Sequence, residues 1–499
     1  MTDHPVSTFT AAHEQRPAPH PPGPAGSDLA HRYQRIAAEL RHGIVSGSLR
    51  SGQRLTSVRE LARLHRVSLS TATLALRTLE DARLIQARPR SGYYVLPRPQ
   101  RLPEPQAATA LLPAQAVTRS EAAARILLLQ EDPQYRSFGV AFPEAALFDA
   151  KRLHAIAMRV MQRQQASLVS YRCMARGHPA LQKAIAQHAL RLGSQLDWSS
   201  IIVTNGCMES VTLALRAVTR PGDTVAIESP THFSFLDILE QLHLKALEIP
   251  THPRHGMSLD ALQLALESRQ VHAVLAVPTL SNPLGSCMPQ ASRQRLARLL
   301  AQHQVPLVED VIWNDLTDAP ELRHSVHSHD REGWVLLCSS YTKTLLPGVR
   351  LGWVYGPRWT EQLQRMKGNT SGGQTVALEL TLAEVLQQKG MELHMRRLRS
   401  TFAQRMDEAL ALVGASFPEG TRVTNPGAGI LLWIELPPAI DAMQLLQAAL
   451  KEHICFSPGS LFSPNQRYRN YLRLGLGGPW NPAQRDAICR IGALARQMA

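Results

Sequence analysis

The sequence predicts an α/β chain in two unequal parts: a small basic unit of three helices and a hairpin, then a large unit on a mainly parallel sheet. Three observations predict it. At 499 residues the chain is too long for one ordinary domain. Its formal net charge is +14, and residues 31–98 hold 13 arginines against four acidic residues, a surplus of +9. From about 119 onward, short apolar runs alternate with amphipathic stretches, as strands and helices do in an α/β sheet.

Composition narrows the classes. A hydrophobic content of 44% is enough for a large core, and 19% charged residues is ordinary. Positive charge this concentrated points to an anionic partner, and to nucleic acid in particular. The six cysteines (173, 207, 287, 338, 455 and 489) are dispersed without a C-x-x-C pair. That excludes a disulfide framework, argues against a metal site and fits a reducing compartment. The polar N-terminus has no signal-peptide core, and no run of about 18 apolar residues occurs. The expectation is a cytoplasmic protein with no membrane partner.

Residues 1–27, rich in Pro, His, Ala and Gly, are expected to form a disordered tail. Residues 28–96 then form the basic unit. Tyr33, Ile36, Leu40 and Ile44 recur at helical spacing, with Gly43 and Gly47 loosening the end. Ser57 caps a second helix through Leu64, with Glu60 as its capping-box partner. After a turn at 65–67, Ser68 caps a third helix bearing Thr71, Leu74, Leu76, Leu79 and Leu84. Residues 84–95 read as two short strands around a basic turn. Three helices and a basic β-wing make a winged helix-turn-helix, whose third helix fits a major groove while wing arginines lie over phosphates.

This segment resembles the GntR-type DNA-binding domain at 55–61, 67–73 and 88–93. The resemblance implies a double-stranded DNA operator as partner, contacted by Arg59, Ser68, Ser70, Thr71, Arg88, Arg90 and Gly92. Two positions depart from that family: Leu69 stands where arginine is usual, and Thr56 where proline is usual. Leucine lacks the bidentate donors that read guanine, so a different operator is expected. Residues 97–118, Pro-rich and then Ala-rich, read as a semi-extended interdomain linker.

In the large unit (119–499), strands are expected at 201–203, 224–227, 273–277, 306–308 and 335–338. Ligands of such sheets bind at the carboxyl ends of strands, where the informative residues cluster. Asn205, Gly206 and Cys207 turn a strand into a helix and offer backbone amides to a phosphate. Lys343 follows an apolar strand, with Ser340 three residues before it and Arg350 seven after. An amine beside a hydroxyl and a guanidinium suits a carbonyl cofactor carrying a phosphate. A lone lysine is ordinarily a surface residue; the serine and arginine set this one apart.

The Lys343 stretch resembles the Schiff-base lysine segment of fold-type-I pyridoxal 5'-phosphate (PLP) enzymes, and the other motifs follow that family's order. The resemblance implies PLP as cofactor, bonded to Lys343, with its phosphate on Asn205, Gly206, Cys207, Ser340 and Arg350. It places His232 over the ring, Asn282 of Asn-Pro-x-Gly on the phenolic oxygen, and Asp310 on the pyridine nitrogen. Trp313 stands where a tyrosine is usual, His232 where a larger aromatic is usual, and Thr342 where serine is usual. Arg473 matches the arginine that grips a substrate carboxylate, and Tyr171 the tyrosine that reaches a partner subunit's phosphate; a homodimer is implied. Fusion of the two parts resembles MocR regulators. The expected function is a transcriptional regulator whose PLP-bound, aminotransferase-like domain senses a small amino compound or PLP itself. Two alternatives stay open: an active aminotransferase with an appended DNA-binding domain, and an enzyme fold that has lost PLP and serves dimerisation.

Overall fold

The computed structural model describes residues 25–499 apart from 47, 83, 89–90, 97–101, 108–110, 118–120, 130–131, 170–174 and 389. The chain divides into two compact units, Met1–Arg98 and Pro99–Ala499. Among the described residues no helix is long and apolar enough to cross a membrane.

The first unit holds α1 (Ala25–Ser46), α2 (Val58–Leu64), α3 (Leu69–Asp81) and a hairpin of β1 (Ile85–Arg88) and β2 (Gly92–Val95). Both expected caps are present: Ser57 accepts from Glu60 N and Ser68 from Thr71 N, each satisfying an orphan amide of the helix start. Ile36, Leu61, Ala72, Leu76, Leu79, Ile85 and Val95 close a small core. α1 begins at Ala25, inside the stretch 1–27 assigned to a tail; the rest of that tail lies outside the described residues. α3 ends at Asp81, so Leu84 lies beyond the helix, and Leu74, on the helix as expected, is 46% exposed.

In the second unit the large sheet runs β3 (Gln115–Ala116), β4 (Ile201–Thr204), β5 (Thr224–Ser229), β6 (Lys245–His252), β7 (Ala273–Ala276), β8 (Leu307–Asp310), β9 (Val335–Ser340) and β10 (Gly352–Tyr355) in sequence. Spatially the order is β3-β6-β5-β7-β8-β9-β10-β4. The pairs from β6 through β9 are parallel, whereas β10 is antiparallel to both neighbours. Near-continuous Val, Ile, Leu and Ala strands suit a sheet buried on both faces. A second core supports a smaller antiparallel sheet of β11 (Arg422–Val423), β12 (Leu431–Glu435), β13 (Ser457–Pro458) and β14 (Tyr471–Gly475).

The described residues of the stretch read as a linker, 102–107 and 111–117, are built into this unit. Pro103 O accepts from Val423 N at 2.8 Å, and Glu104 pairs with Arg254. β3 adds antiparallel to β6 and covers the edge of the large sheet. An extended Pro-rich chain leaves its carbonyls unpaired, and open sheet edges are where such groups find partners.

Candidate cofactor and effector site

All the large-unit site residues that the structure describes lie just past the carboxyl ends of sheet strands or on the small sheet facing them. β9 is buried at every position and carries the chain to Lys343. The β9–β10 connection crowds the turn after β4. A Cβ on Gly352 would lie 2.6 Å from both Gly206 C and Ser339 O, so only glycine fits there. Gly206 itself has φ 89° and opens the helix α4 (Cys207–Val218). Arg350 Nη2 lies 3.6 Å from where a Gly206 Cβ would stand, and Ser340 Oγ is 2.8 Å from Thr342 Oγ1. The Gly206 turn, two buried hydroxyls, a helix start and an exposed arginine are thus brought together, a set that suits a phosphate. The Asn205 side is less open: its N–H donates to Glu209 Oε2 at 2.5 Å.

Lys343 is 9% exposed. Its Nζ donates to Ala141 O at 2.6 Å, 3.7 Å from the Phe142 ring centroid and 5.3 Å from that of Trp313. Burial, with Arg473 adding to it, pulls the amine down to about 7, against the opposing pull of Asp310. Asp310 is pushed up to about 6, chiefly by burial, while Ile312 N–H and the Cys207 thiol donate to its Oδ1 and hold it down. Cys207 therefore contributes a side chain, which the sequence reading had placed only as backbone.

Arg473, on β14, is 1% exposed. It donates to Asn282 Oδ1 at 3.0 Å, to Ser457 Oγ at 3.2 Å and to Gly139 O. Burial lowers its guanidinium to about 9. Among the described residues, Asn282 Nδ2 and Arg473 Nε are buried donors without an acceptor. A buried unsatisfied donor is costly, and two on one hydrogen-bonded pair, whose arginine also acts on the Lys343 amine, suit acceptor oxygens. His232 caps the helix α5 (Phe233–Gln241) by accepting Ser234 N–H at Nδ1, and packs on Phe233 and Phe235. Burial, then Arg473 and Lys343, lower it to about 3, so the ring is neutral.

Tyr171 and Arg90 lie outside the described residues. Ala141, Phe142, Gly139 and Ser457 went unread in the sequence. Ala141 and Gly139 act through backbone carbonyls, Phe142 through its ring and Ser457 through its hydroxyl on β13, all remote in the chain from the residues they meet, and no local motif announces them. His394, whose Nε2 pairs with Thr344 O at 2.7 Å beside Lys343, is a further unread support.

In the first unit, Arg59, Ser68, Ser70 and Gly92 are exposed, and Arg88 lies over the Tyr94 ring at 4.3 Å. Gly92 has φ 103°, which the wing tip requires. Thr71 is a correction. It is 5% exposed, with its hydroxyl 2.8 Å from Ser68 Oγ, so it belongs to the helix cap and the core.

The chain matches the family model for class I and II aminotransferases over residues 149–489 and that for bacterial regulatory proteins of the gntR family over 32–95. It is 34% identical over 462 residues to the HTH-type transcriptional regulator YjiR of Escherichia coli (strain K12), covering 92% of this chain and 98% of YjiR. To YdcR of the same organism, also an HTH-type transcriptional regulator, it is 33% identical over 93% and 99% of the two chains. The crystal structure of Pyrococcus horikoshii kynurenine aminotransferase superposes with a TM-score of 0.70 at 25% identity, over 76% of this chain and 95% of that one. This chain belongs to the HTH-type transcriptional regulators of MocR architecture, a gntR-family domain joined to an aminotransferase fold of type I.

Proposed function

We propose that the first unit binds operator DNA and that the second holds PLP at Lys343 and reads a carboxylate-bearing amino compound. The observation that carries this is the hydrogen-bonded pair of Asn282 and Arg473, whose Nδ2 and Nε find no acceptor among the described residues, with Arg473 acting on a Lys343 amine held near 7. When bound, the cofactor supplies a carbonyl that condenses with amines and a ring that draws electrons. The chain's residues do the rest. Ser340, Arg350 and the Gly206 turn hold the phosphate; Asn282 Nδ2 donates to the phenolic oxygen; Asp310, steadied by Ile312 N–H and Cys207, pairs with the ring nitrogen. His232 and its two phenylalanines exclude water from one side. A Lys343 amine near 7 is partly free base at neutral pH, which amine exchange requires. Arg473 grips the effector carboxylate.

Regulation needs an effector that binds the two states of the regulator with different affinity. A homodimer is part of the proposal: Met158, Met161 and Leu378 leave apolar surface on two helices that pack together. The test titrates PLP into the purified chain and then measures operator affinity across carboxylate-bearing amines. A visible absorbance band and an amine-dependent change in affinity are expected. A colourless protein at saturating PLP overturns the cofactor assignment and favours a fold kept for dimerisation.

The intact Lys343, Asp310 and Arg473 set also supports a second reading, an active aminotransferase. Trp313 in place of a hydroxyl-bearing aromatic counts against it, because indole offers only an N–H donor. Amino-group transfer to an oxo acid at ordinary aminotransferase rates would establish that reading.

A further inference from the structure

We propose that the recognition face of α3 reads thymine methyl groups, through Leu69 and the methyl of Thr73. The inference rests on the DNA-binding reading above and deepens it. Leu69 is the first residue of α3 and is 53% exposed. One exposed leucine is unremarkable, but the polar groups around it are already committed. Ser70 Oγ is 2.7 Å from Ser68 Oγ, which also accepts Thr71 N–H. Thr73 Oγ1 donates to Leu69 O at 2.7 Å, and Thr78 Oγ1 to Leu74 O at 2.9 Å. With its hydroxyl turned to the backbone, Thr73 has its methyl left for a partner. The helix start therefore offers an apolar surface where base-reading donors are expected.

The partner's chemistry follows from the surroundings. Arg59, Arg63, Arg66 and Arg77 are exposed on or beside α2 and α3, a cationic frame suited to phosphates. Within that frame, the apolar group that a major groove presents at its base edges is the thymine C5-methyl. A leucine at the helix start matches it, and forfeits the bidentate contact to guanine that an arginine makes. The operator base under Leu69 is accordingly thymine.

The full-length protein is used to enrich duplexes from a random pool, and each thymine of the enriched half-site is then replaced by deoxyuridine, which removes only the methyl. At one or two positions the affinity falls about fourfold per methyl, the worth of one buried apolar carbon. At the position under Leu69 the same replacement has a smaller effect on the Leu69→Ala protein, while any position under Thr73 keeps its loss, and Leu69→Arg enriches guanine in place of the thymine under Leu69. Deoxyuridine tolerated at every position overturns the proposal while leaving operator binding intact. A pool with no enriched sequence overturns the operator-binding reading itself. The deoxyuridine arm needs no protein variant, so misfolding does not cloud it.

Discussion

The two units carry functional charge in opposite ways. In the first, the arginines at 59, 63, 66, 77 and 88 stand in solvent. In the second, Lys343, Asp310 and Arg473 are all nearly buried, and each is displaced towards neutrality by loss of water. Exposed charge is cheap to maintain and acts at a distance, so it suits a polyanion bound by counterion release. Buried charge is costly, so every such group has a fixed partner and a tuned proton. One sequence thus holds an electrostatic surface and a chemical pocket, and solvation separates them.

That contrast sets the order of the expected effects. Lys343→Ala abolishes the visible absorbance of PLP-treated protein entirely, while operator affinity without effector is unchanged; a shared defect in both would break the division. Raising salt from 50 to 200 mM weakens operator binding by roughly 10³ if about six phosphates are contacted, and Arg59→Ala lowers the salt slope by about one. PLP retention over the same range changes far less, because it rests chiefly on the Lys343 bond and on buried Asp310, with only Arg350 among its assigned charged partners exposed.

Arg473→Lys keeps the charge but loses the planar fork. The affinity for a carboxylate-bearing amine is expected to fall about thirtyfold, the loss of about 2 kcal/mol of charge-assisted bonding. The corresponding amine without a carboxylate binds both proteins alike, which calorimetric titration would show. The rate at which the visible band forms on mixing with PLP should rise about tenfold from pH 6 to pH 8, as the amine at about 7 loses its proton. The linked stability has a definite sign. The folded amine sits below its usual value of 10.5, so the unfolded chain holds more protons between 7 and 10.5 and this group favours folding progressively as pH rises through that window. Cys207→Ala is the smallest effect. Removing a weak thiol donor lets the Asp310 carboxyl rise further, moving the pH midpoint of the visible band by a few tenths of a unit at about constant band height.

Legibility in the sequence follows the range of the interaction. Ser57 and Ser68 were readable as caps because a cap and its amide are three residues apart. The strand before Lys343 is readable because Trp334 to Cys338 is an unbroken apolar run, which suits a buried strand; the structure extends it to Ser340. Thr71 was misread for the same local reason: its position in a helix start is visible, but which face the core covers is not.

What the sequence by itself determined is the division into a small part dense in positive charge and a large part with far less charge per residue, the order of strand-end motifs, and the departures at Leu69, His232 and Trp313. Periodicity, capping and net charge are local or additive, so they survive without coordinates. Only the tertiary structure decided that Lys343 rests on Ala141 O, that Arg473 is tied to Asn282 across 191 residues of chain, and that the stretch after Pro99 closes a sheet edge. Those contacts join segments far apart in the chain. Their consequences, the amine near 7 and the two donors left without acceptors, come from burial, which no stretch of sequence records.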